Sequence, residues 1–188
     1  MKKKKIIISI LLLIISVVGL NYVYCMYKHR PSPRLEITDK PFIDFEVEHS
    51  DSTVHRLSEY VGKGQYVLLD FWASWCGACI NSFPLLKELH EKYSERGLCI
   101  ISISTDTNPA AWHYALERHR LPWLQLRETT ESRKNQTSAT DLYPITGIPT
   151  FVIIDPDGTV IFTPYEEHGY IDDIREQLKQ KVEEIFEK

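Results

Sequence analysis

Two cysteines separated by two residues, Cys76 and Cys79, are the side chains whose type and spacing could carry out a reaction. They follow a nearly continuous apolar run, residues 65–72, at the point where a helical pattern begins. At a helix N-terminus, unpaired backbone N–H groups and the helix dipole lower the pKa of a thiol and so favour the nucleophilic thiolate. We therefore expect Cys76 to attack a disulfide and Cys79, one turn further along, to complete the exchange.

The same cysteine pair has less reactive interpretations, namely a zinc site, a static disulfide or two inert core thiols. A zinc site usually needs four ligands, often from a second cysteine pair or two histidines. The other cysteines are Cys25, in the N-terminal apolar stretch, and Cys99, in the middle of a predicted strand, and the seven histidines form no close pair. The sequence favours redox chemistry at Cys76 and Cys79, with no metal and no cofactor beyond their disulfide.

Composition and charge limit the class of protein. The chain has 188 residues, of which 43% are hydrophobic and 26% charged, as expected for one folded domain with a tail. Residues 1–27 hold four lysines and no acidic residue, so the remainder carries 18 basic and 26 acidic side chains, a net charge of −8. A domain this acidic is poorly suited to bind nucleic acid through its phosphates.

The N-terminus has the pattern of a membrane signal-anchor. Lys2 to Lys5 precede an uncharged stretch, Ile6–Tyr27, which as a helix would span roughly 33 Å and cross the hydrocarbon core. The lysines predict a cytoplasmic N-terminus, with the rest of the chain on the other side of a bacterial cell membrane. A cleaved signal peptide and lipidation at Cys25 are the alternatives. The first lacks a site of small residues, and the second has the large Tyr24 before the cysteine.

Hydrophobic periodicity predicts the elements that position the cysteines. It gives an exposed strand over 42–47, a return strand with a turn of helix over 53–61, buried strands over 65–72, 98–104 and 150–155, and a hairpin partner over 159–164. Helices are predicted from Cys76 to Gly97 with a kink at Pro84, from Asn108 to about His119, and at the C-terminus, where one stripe contains Ile171, Ile174, Leu178, Val182 and Ile185. Residues 128–141 are predicted to be an irregular loop. This order indicates an α/β fold, a mixed central sheet with helices on both faces.

Two motifs carry a resemblance to a known family. The segment FWASWCGAC, preceded by VLLD and followed by Pro84, resembles the thioredoxin superfamily, as does GIPTFVIIDPDG at 147–158. With the predicted anchor and the region 106–127, the chain is most similar to the membrane-anchored TlpA/ResA-type thiol-disulfide oxidoreductases. The resemblance implies a thioredoxin-like fold with an N-terminal hairpin and a central insert. We assign 1–27 to the lysine cluster and anchor, 28–40 to a linker and 41–188 to the thioredoxin-like domain.

The resemblance also implies roles for residues around the cysteines. Pro149 matches the cis-proline that lies against the active-site disulfide, and an ordinary turn proline is the alternative. The backbone of Ile148 would pair with an extended substrate segment. Further substrate contacts are expected from Trp75 and from the dipeptide Gly77-Ala78. Trp72 is expected to pack inside the domain, although both tryptophans could belong to the core.

Asp70 matches the buried acid of thioredoxin and is expected to accept a proton from Cys79. The alternative is an acid that faces solvent at the end of the strand. Two positions depart from the family. Ser82 stands where ResA-like members commonly carry Glu, and Gly-Ala replaces the Gly-Pro of thioredoxin, which changes the reduction potential by an amount the sequence does not give.

The predicted function is an extracytoplasmic enzyme that reduces protein disulfides. Its expected partners are disulfide-containing exported proteins, with cytochrome c maturation one setting, and a thiol-disulfide electron donor in the membrane. A peroxiredoxin-type peroxidase is one alternative, although Ala73 stands where that chemistry commonly uses Thr. A copper metallochaperone is another, although the chain has only Met1 and Met26 as methionine ligands.

Overall fold

The computed structural model divides the chain into two compact units, Met1–Ser32 and Pro33–Lys188. The structure describes residues 16–21, 37–143, 145, 147–164 and 171–187. In the first unit, residues 16–21 are helical. Most of the predicted anchor lies outside the described residues, and none of the helices within them has the length and apolar character needed to cross a membrane.

A seven-stranded mixed sheet forms the second unit, in the order β2-β1-β5-β4-β3-β6-β7. Strands β3, β4 and β5 are parallel, and every other neighbouring pair is antiparallel. The strands are β1 (Glu46–Glu48), β2 (Val54–Arg56), β3 (Tyr66–Trp72), β4 (Leu98–Ser104), β5 (Leu124–Glu128), β6 (Thr150–Ile154) and β7 (Val160–Phe162).

Six helices in the described part of this unit connect or follow the strands, together with two short 3-10 turns at Leu57–Glu59 and Ser94–Arg96. The helices are α1 (Gly77–Ile80), α2 (Phe83–Tyr93), α3 (Pro109–His119), α4 (Thr130–Lys134), α5 (Ala139–Leu142) and α6 (Ile171–Phe186). The predicted N-terminal hairpin is β1–β2, and the predicted central insert contains α3 and most of β5.

The central strand β3 is buried on both faces, as its apolar sequence predicts. Leu68 and Trp72 face one core with helices α1, α2, α3 and α6. Leu69 and Phe71 face the second core, which contains the hairpin, the first 3-10 turn and α5. The predicted mixed sheet with helices on both faces is therefore confirmed. Strand β3, which leads to the cysteine pair, therefore lies between the two cores.

The helix predicted from Cys76 differs from the structure in one respect. It is two helices, because α1 ends at Ile80 and α2 begins at Phe83. Pro84 lies in the first turn of α2, where the missing N–H has no helical partner to lose, so it starts a helix instead of kinking one. Helix α3 matches its prediction, and Asn108 Oδ1 accepts a hydrogen bond from the Ala110 amide at 3.0 Å.

The predicted irregular loop at 128–141 is wrong, and strand β5 was not predicted. Helices α4 and α5 lie in this segment, each begun by a hydroxyl residue, Thr129 and Ser138. Strand β5 ends in two charged residues that are buried because they are paired. Arg127 bonds to Glu48 at 2.7 Å and Glu128 to Arg133 at 3.0 Å. Strand β5 was not predicted because charged residues in a sequence usually indicate an exposed segment.

The C-terminal helix buries Ile174, Leu178 and Val182, as its stripe predicts. At its end Phe186 is buried and Ile185 only partly so. The ring of Phe186 stacks on Tyr93 with their centroids 5.1 Å apart, which fixes the end of α6 against α2.

The outer side of β7 is paired with the chain just before β1. The Asp39 amide donates to the Val160 carbonyl at 2.8 Å, and the Val160 amide donates to the Lys40 carbonyl at 2.9 Å. The Phe42 amide donates to the carbonyl of Gly158 at 2.9 Å. Gly158 has φ +94°, and a Cβ there would lie 3.3 Å from the Phe42 ring, so this turn requires glycine.

Candidate active site

Cys76 and Cys79 form a disulfide with an S–S distance of 2.03 Å and a Cα–Cα distance of 5.3 Å. Cys76 is the residue before α1, and its sulfur accepts a hydrogen bond from the Cys79 amide at 3.1 Å. Residue Cys76 is 6% exposed and Cys79 only 1%. Cys76 is therefore the more accessible of the two cysteines. Because α1 is only four residues long, its dipole is small, and the Cys79 amide is the group seen to stabilise charge on the Cys76 sulfur.

The loop before β6 lies against the disulfide. The Ile148–Pro149 peptide bond is cis, in agreement with the family motif. The Ile148 carbonyl oxygen is 3.7 Å from Cys76 Sγ. Pro149 is buried, Ile148 is half-buried and Gly147 is exposed, so a partner can approach the disulfide along this loop.

Trp75 is the most exposed aromatic side chain of the second unit's described residues, at 72%. Gly77 is also exposed and Ala78 is half-buried, so the sequence around Cys76 presents a surface beside the reactive sulfur. Trp72 is fully buried, and its ring packs edge-on against Phe83 with the centroids 5.3 Å apart. The two tryptophans thus lie in different environments, one at the surface and one in the core.

Asp70 lies inside the domain and does not face solvent. It is 1% exposed and lies two residues from both Leu68 and Trp72, so it points to the face of the sheet that carries the cysteines. Burial raises the pKa of Asp70 to about 7, and a hydrogen bond from Ser102 opposes that increase. A carboxyl group that titrates near neutral pH can exchange a proton with a thiol.

Asp106 fixes the loop that precedes the cysteines. The sequence analysis did not identify Asp106 as a site residue. Its carboxylate accepts hydrogen bonds from the Ser74 amide at 2.8 Å, the Ser74 hydroxyl at 2.7 Å and the Ser104 hydroxyl at 2.8 Å. The Asp106 carbonyl oxygen accepts from Arg127 and Arg133. The signal was an acid two residues after the end of a buried parallel strand, since such strand ends converge at one edge of a sheet.

Ser82 and Cys99 take no part in the contacts of the disulfide that the structure describes. The Ser82 hydroxyl donates to the Ala78 carbonyl at 3.2 Å, so this residue stabilises the break between α1 and α2. Cys99 packs at the edge of the opposite core, and burial raises the pKa of its thiol. Within the described ranges no group of three or more His, Cys, Asp or Glu side chains could hold a metal ion.

Comparisons with known proteins agree with this geometry. A sequence profile of the family described as thioredoxin-like matches residues 64–160, slightly more than half the chain. Thiol-disulfide oxidoreductase ResA of Bacillus thuringiensis subsp. konkukian (strain 97-27) is 28% identical over 189 residues, covering 100% of this chain and 98% of that protein. The ResA protein of Bacillus subtilis (strain 168) is 26% identical over 162 residues, covering 85% and 84%.

A solved structure has the same fold as this chain. The crystal structure of the thioredoxin domain of a thiol-disulfide oxidoreductase from Bacteroides vulgatus superposes with a TM-score of 0.62 at 25% identity, covering 77% of this chain and 97% of that one. The matched profile spans both cysteines and Pro149. The chain therefore belongs to the thioredoxin-like family, and with this cysteine pair it is a thiol-disulfide oxidoreductase.

Proposed function

We propose that the protein is a membrane-anchored reductase of disulfides in exported proteins, with its thioredoxin-like domain outside the cytoplasm. The observation that carries the proposal is a cysteine pair whose outer sulfur, on Cys76, lies beside the exposed Trp75 and the loop of Ile148 and Pro149. An extended segment of a substrate protein would pair with the backbone of Ile148 and contact Trp75, Gly77 and Ala78.

The reaction begins with reduced cysteines. The Cys76 thiolate attacks one sulfur of the substrate disulfide, the substrate S–S bond breaks, and the leaving sulfur takes the electron pair and then a proton. Asp70 accepts the proton of Cys79, and the Cys79 sulfur attacks Cys76. The second substrate sulfur leaves, and the enzyme is left with the Cys76–Cys79 disulfide. A dithiol partner in the membrane supplies the two electrons and two protons that reduce it again.

The contacts of Cys76 support a reductase over an oxidant. Strong thiol oxidants stabilise their reduced form, usually through a strongly favoured thiolate. In the described part of the chain, the polar atoms at Cys76 Sγ are the Cys79 amide and the Ile148 carbonyl oxygen, and neither carries a positive charge. The carbonyl oxygen faces the sulfur with its negative end. Both features keep the thiolate modestly stabilised and the reduction potential low.

The reduction potential of the full chain in detergent tests the direction of exchange. We expect a reversible two-electron couple near the −270 mV of thioredoxin, measured by equilibration of Cys76 and Cys79 with dithiothreitol buffers. A potential near −120 mV would mean that the protein donates disulfides, and the proposed direction would be wrong. The interval corresponds to about 7 kcal/mol for two electrons, so the two outcomes are well separated.

The location rests on the lysine cluster and the apolar stretch Ile6–Tyr27, which the match to the Bacillus thuringiensis relative includes. We expect the full chain to remain in the membrane after carbonate extraction. In intact cells, a membrane-impermeant maleimide should label Cys76 after mild reduction. Cys25→Ser is the control, because only a lipid anchor would be lost with it. A chain that begins beyond residue 27 and is found in the soluble fraction would contradict the anchor.

A further inference from the structure

Two polar side chains outside the cysteine motif hold the carboxyl group of Asp70. Ser102 is its partner on the neighbouring parallel strand, and the Ser102 hydroxyl donates to Asp70 Oδ2 at 2.7 Å. The oxygen of Ser102 accepts a hydrogen bond from Trp123 Nε1 at 2.8 Å. All three residues are buried, with exposures of 1%, 0% and 7%. They form a continuous chain of hydrogen bonds, and Trp123 lies in the same core as the two cysteines.

The indole fixes the direction of the Ser102 hydroxyl. An indole N–H can only donate, so the Ser102 oxygen must offer it a lone pair. The single hydroxyl hydrogen then remains for Asp70. In a buried site such an oriented donor interacts strongly with a carboxylate, and it opposes the effect of burial, which favours the neutral acid.

Trp123 differs from two other buried tryptophans of this domain in the partner of its indole N–H. The Nε1 atoms of Trp72 and Trp112 are also buried, and neither has a hydrogen-bond partner among the described residues. Of these three buried indoles, only that of Trp123 has a protein acceptor in the described part of the chain, and this acceptor is the serine that donates to Asp70.

We propose that Ser102 and Trp123 are positioning residues for thiol-disulfide exchange, which hold the Asp70 carboxylate ready to accept the proton of Cys79. The inference rests on the role of Asp70 in the proposed function. In this step the proton moves from Cys79 to Asp70, the Cys79–Cys76 bond forms, and the bond between Cys76 and the substrate sulfur breaks. The substrate sulfur leaves with the electron pair, so electrons and protons balance without another reactant.

Titratable groups on several described elements pack against the core that contains this network, among them Tyr66 of β3 and His119 of α3, whose ring centroid is 5.2 Å from that of Phe83. From α1 the groups are Cys76 and Cys79. From α2 they are Tyr93, in the same core, and His90, whose ring centroid is 5.6 Å from that of Trp123. On β6 the residue paired with Asp70 is Phe151, which does not titrate.

Titration of the Asp70 carboxyl carbon by NMR in the oxidised full chain is the direct test. Ser102→Ala removes the donor, and we expect the titration midpoint to rise by about one pH unit, since a hydrogen bond to a charged group is worth about that much. Trp123→Phe keeps a ring but loses the N–H, and should raise the midpoint by a smaller amount. Trp112→Phe is the matched control, because it removes an unpaired indole N–H, and should leave the midpoint unchanged.

The same variants are compared in the pH profile of insulin disulfide reduction. Below pH 7 the Ser102→Ala enzyme should resolve the mixed disulfide about tenfold more slowly than the parent, and at pH 9 the two should agree. A merely structural role would lower the rate at every pH. The melting temperatures of Trp123→Phe and Trp112→Phe are also compared. Similar values would show that a change seen only in Trp123→Phe comes from the position of the Asp70 carboxylate and not from unfolding.

Two results would overturn the inference, and they are distinguishable. If Asp70→Asn changes the pH profile while Ser102→Ala and Trp123→Phe keep the parent midpoint, Asp70 acts without these two residues. If Asp70→Asn leaves the profile of the parent unchanged, Asp70 is not the proton acceptor. That second result would remove this part of the proposed function together with the inference.

Discussion

Cys76→Ser is expected to abolish reduction of protein disulfides, with a fall in rate of roughly 1,000-fold or more, because no other described sulfur occupies the exposed side of the site. Cys79→Ser should behave differently. Its Cys76 thiol still attacks, but the buried resolving sulfur is gone, so the enzyme should accumulate as a mixed disulfide with the substrate. Insulin turnover and non-reducing gels measure the two effects.

Cys99→Ser is the control for the Cys76→Ser and Cys79→Ser variants, since it removes a partly buried thiol in the opposite core. This variant should reduce insulin at the rate of the parent and should not accumulate a mixed disulfide with the substrate. If Cys76→Ser accumulated the mixed disulfide and Cys79→Ser did not, the order of attack would be reversed. The 6% and 1% exposures of the two cysteines would then not decide which sulfur meets the substrate.

Asp70→Asn is expected to make the oxidised protein more stable at alkaline pH. Burial raises the pKa of Asp70 from its ordinary value of 3.8 to about 7, so the folded state favours the protonated acid. The stability that this acid contributes is fully present below pH 3.8 and is lost as the pH rises through 7. Relative to Asp70→Asn, the parent should lose about 4 kcal/mol of unfolding free energy between pH 4 and pH 8.

Denaturant unfolding at a series of pH values measures this difference. Asparagine keeps an oxygen that can accept the Ser102 hydrogen bond, so the substitution removes the ionisation and little else. Asp157→Asn, at an exposed turn, is the matched control and should follow the parent curve. Parallel curves for the parent and Asp70→Asn across this pH range would contradict the raised pKa.

The parts of the site that lie within one local pattern could be predicted from the sequence. The cysteine spacing follows from one turn of helix, and Pro149 lies in a short motif next to a strand. The burial of Asp70 follows from the apolar residues that surround it in β3. In each case neighbours in the chain are also neighbours in space, so a pattern of a few residues is sufficient.

Contacts across strands could not be predicted in the same way. Ser102 is 32 residues from Asp70, Trp123 is 21 residues from Ser102, and Asp106 is 32 residues from Ser74. Periodicity indicates which face of a strand is buried, but the register of parallel strands decides which residues lie side by side. Strand β5 was missed for a related reason, since Arg127 is buried only because Glu48 lies opposite it on β1.

The pairing of residues 39–42 with β7 also affects whether the sheet of this protein can pair with strands of other chains. An open sheet edge is a template for strands of other chains. Here one edge is occupied by the protein's own chain, in which Pro41 offers no amide hydrogen. The other edge, β2, has only three residues and includes charged Arg56. Strand addition along the sheet is thereby disfavoured at both sides, which should limit self-association. In the proposed function, a substrate backbone would then pair at Ile148 and not at a sheet edge.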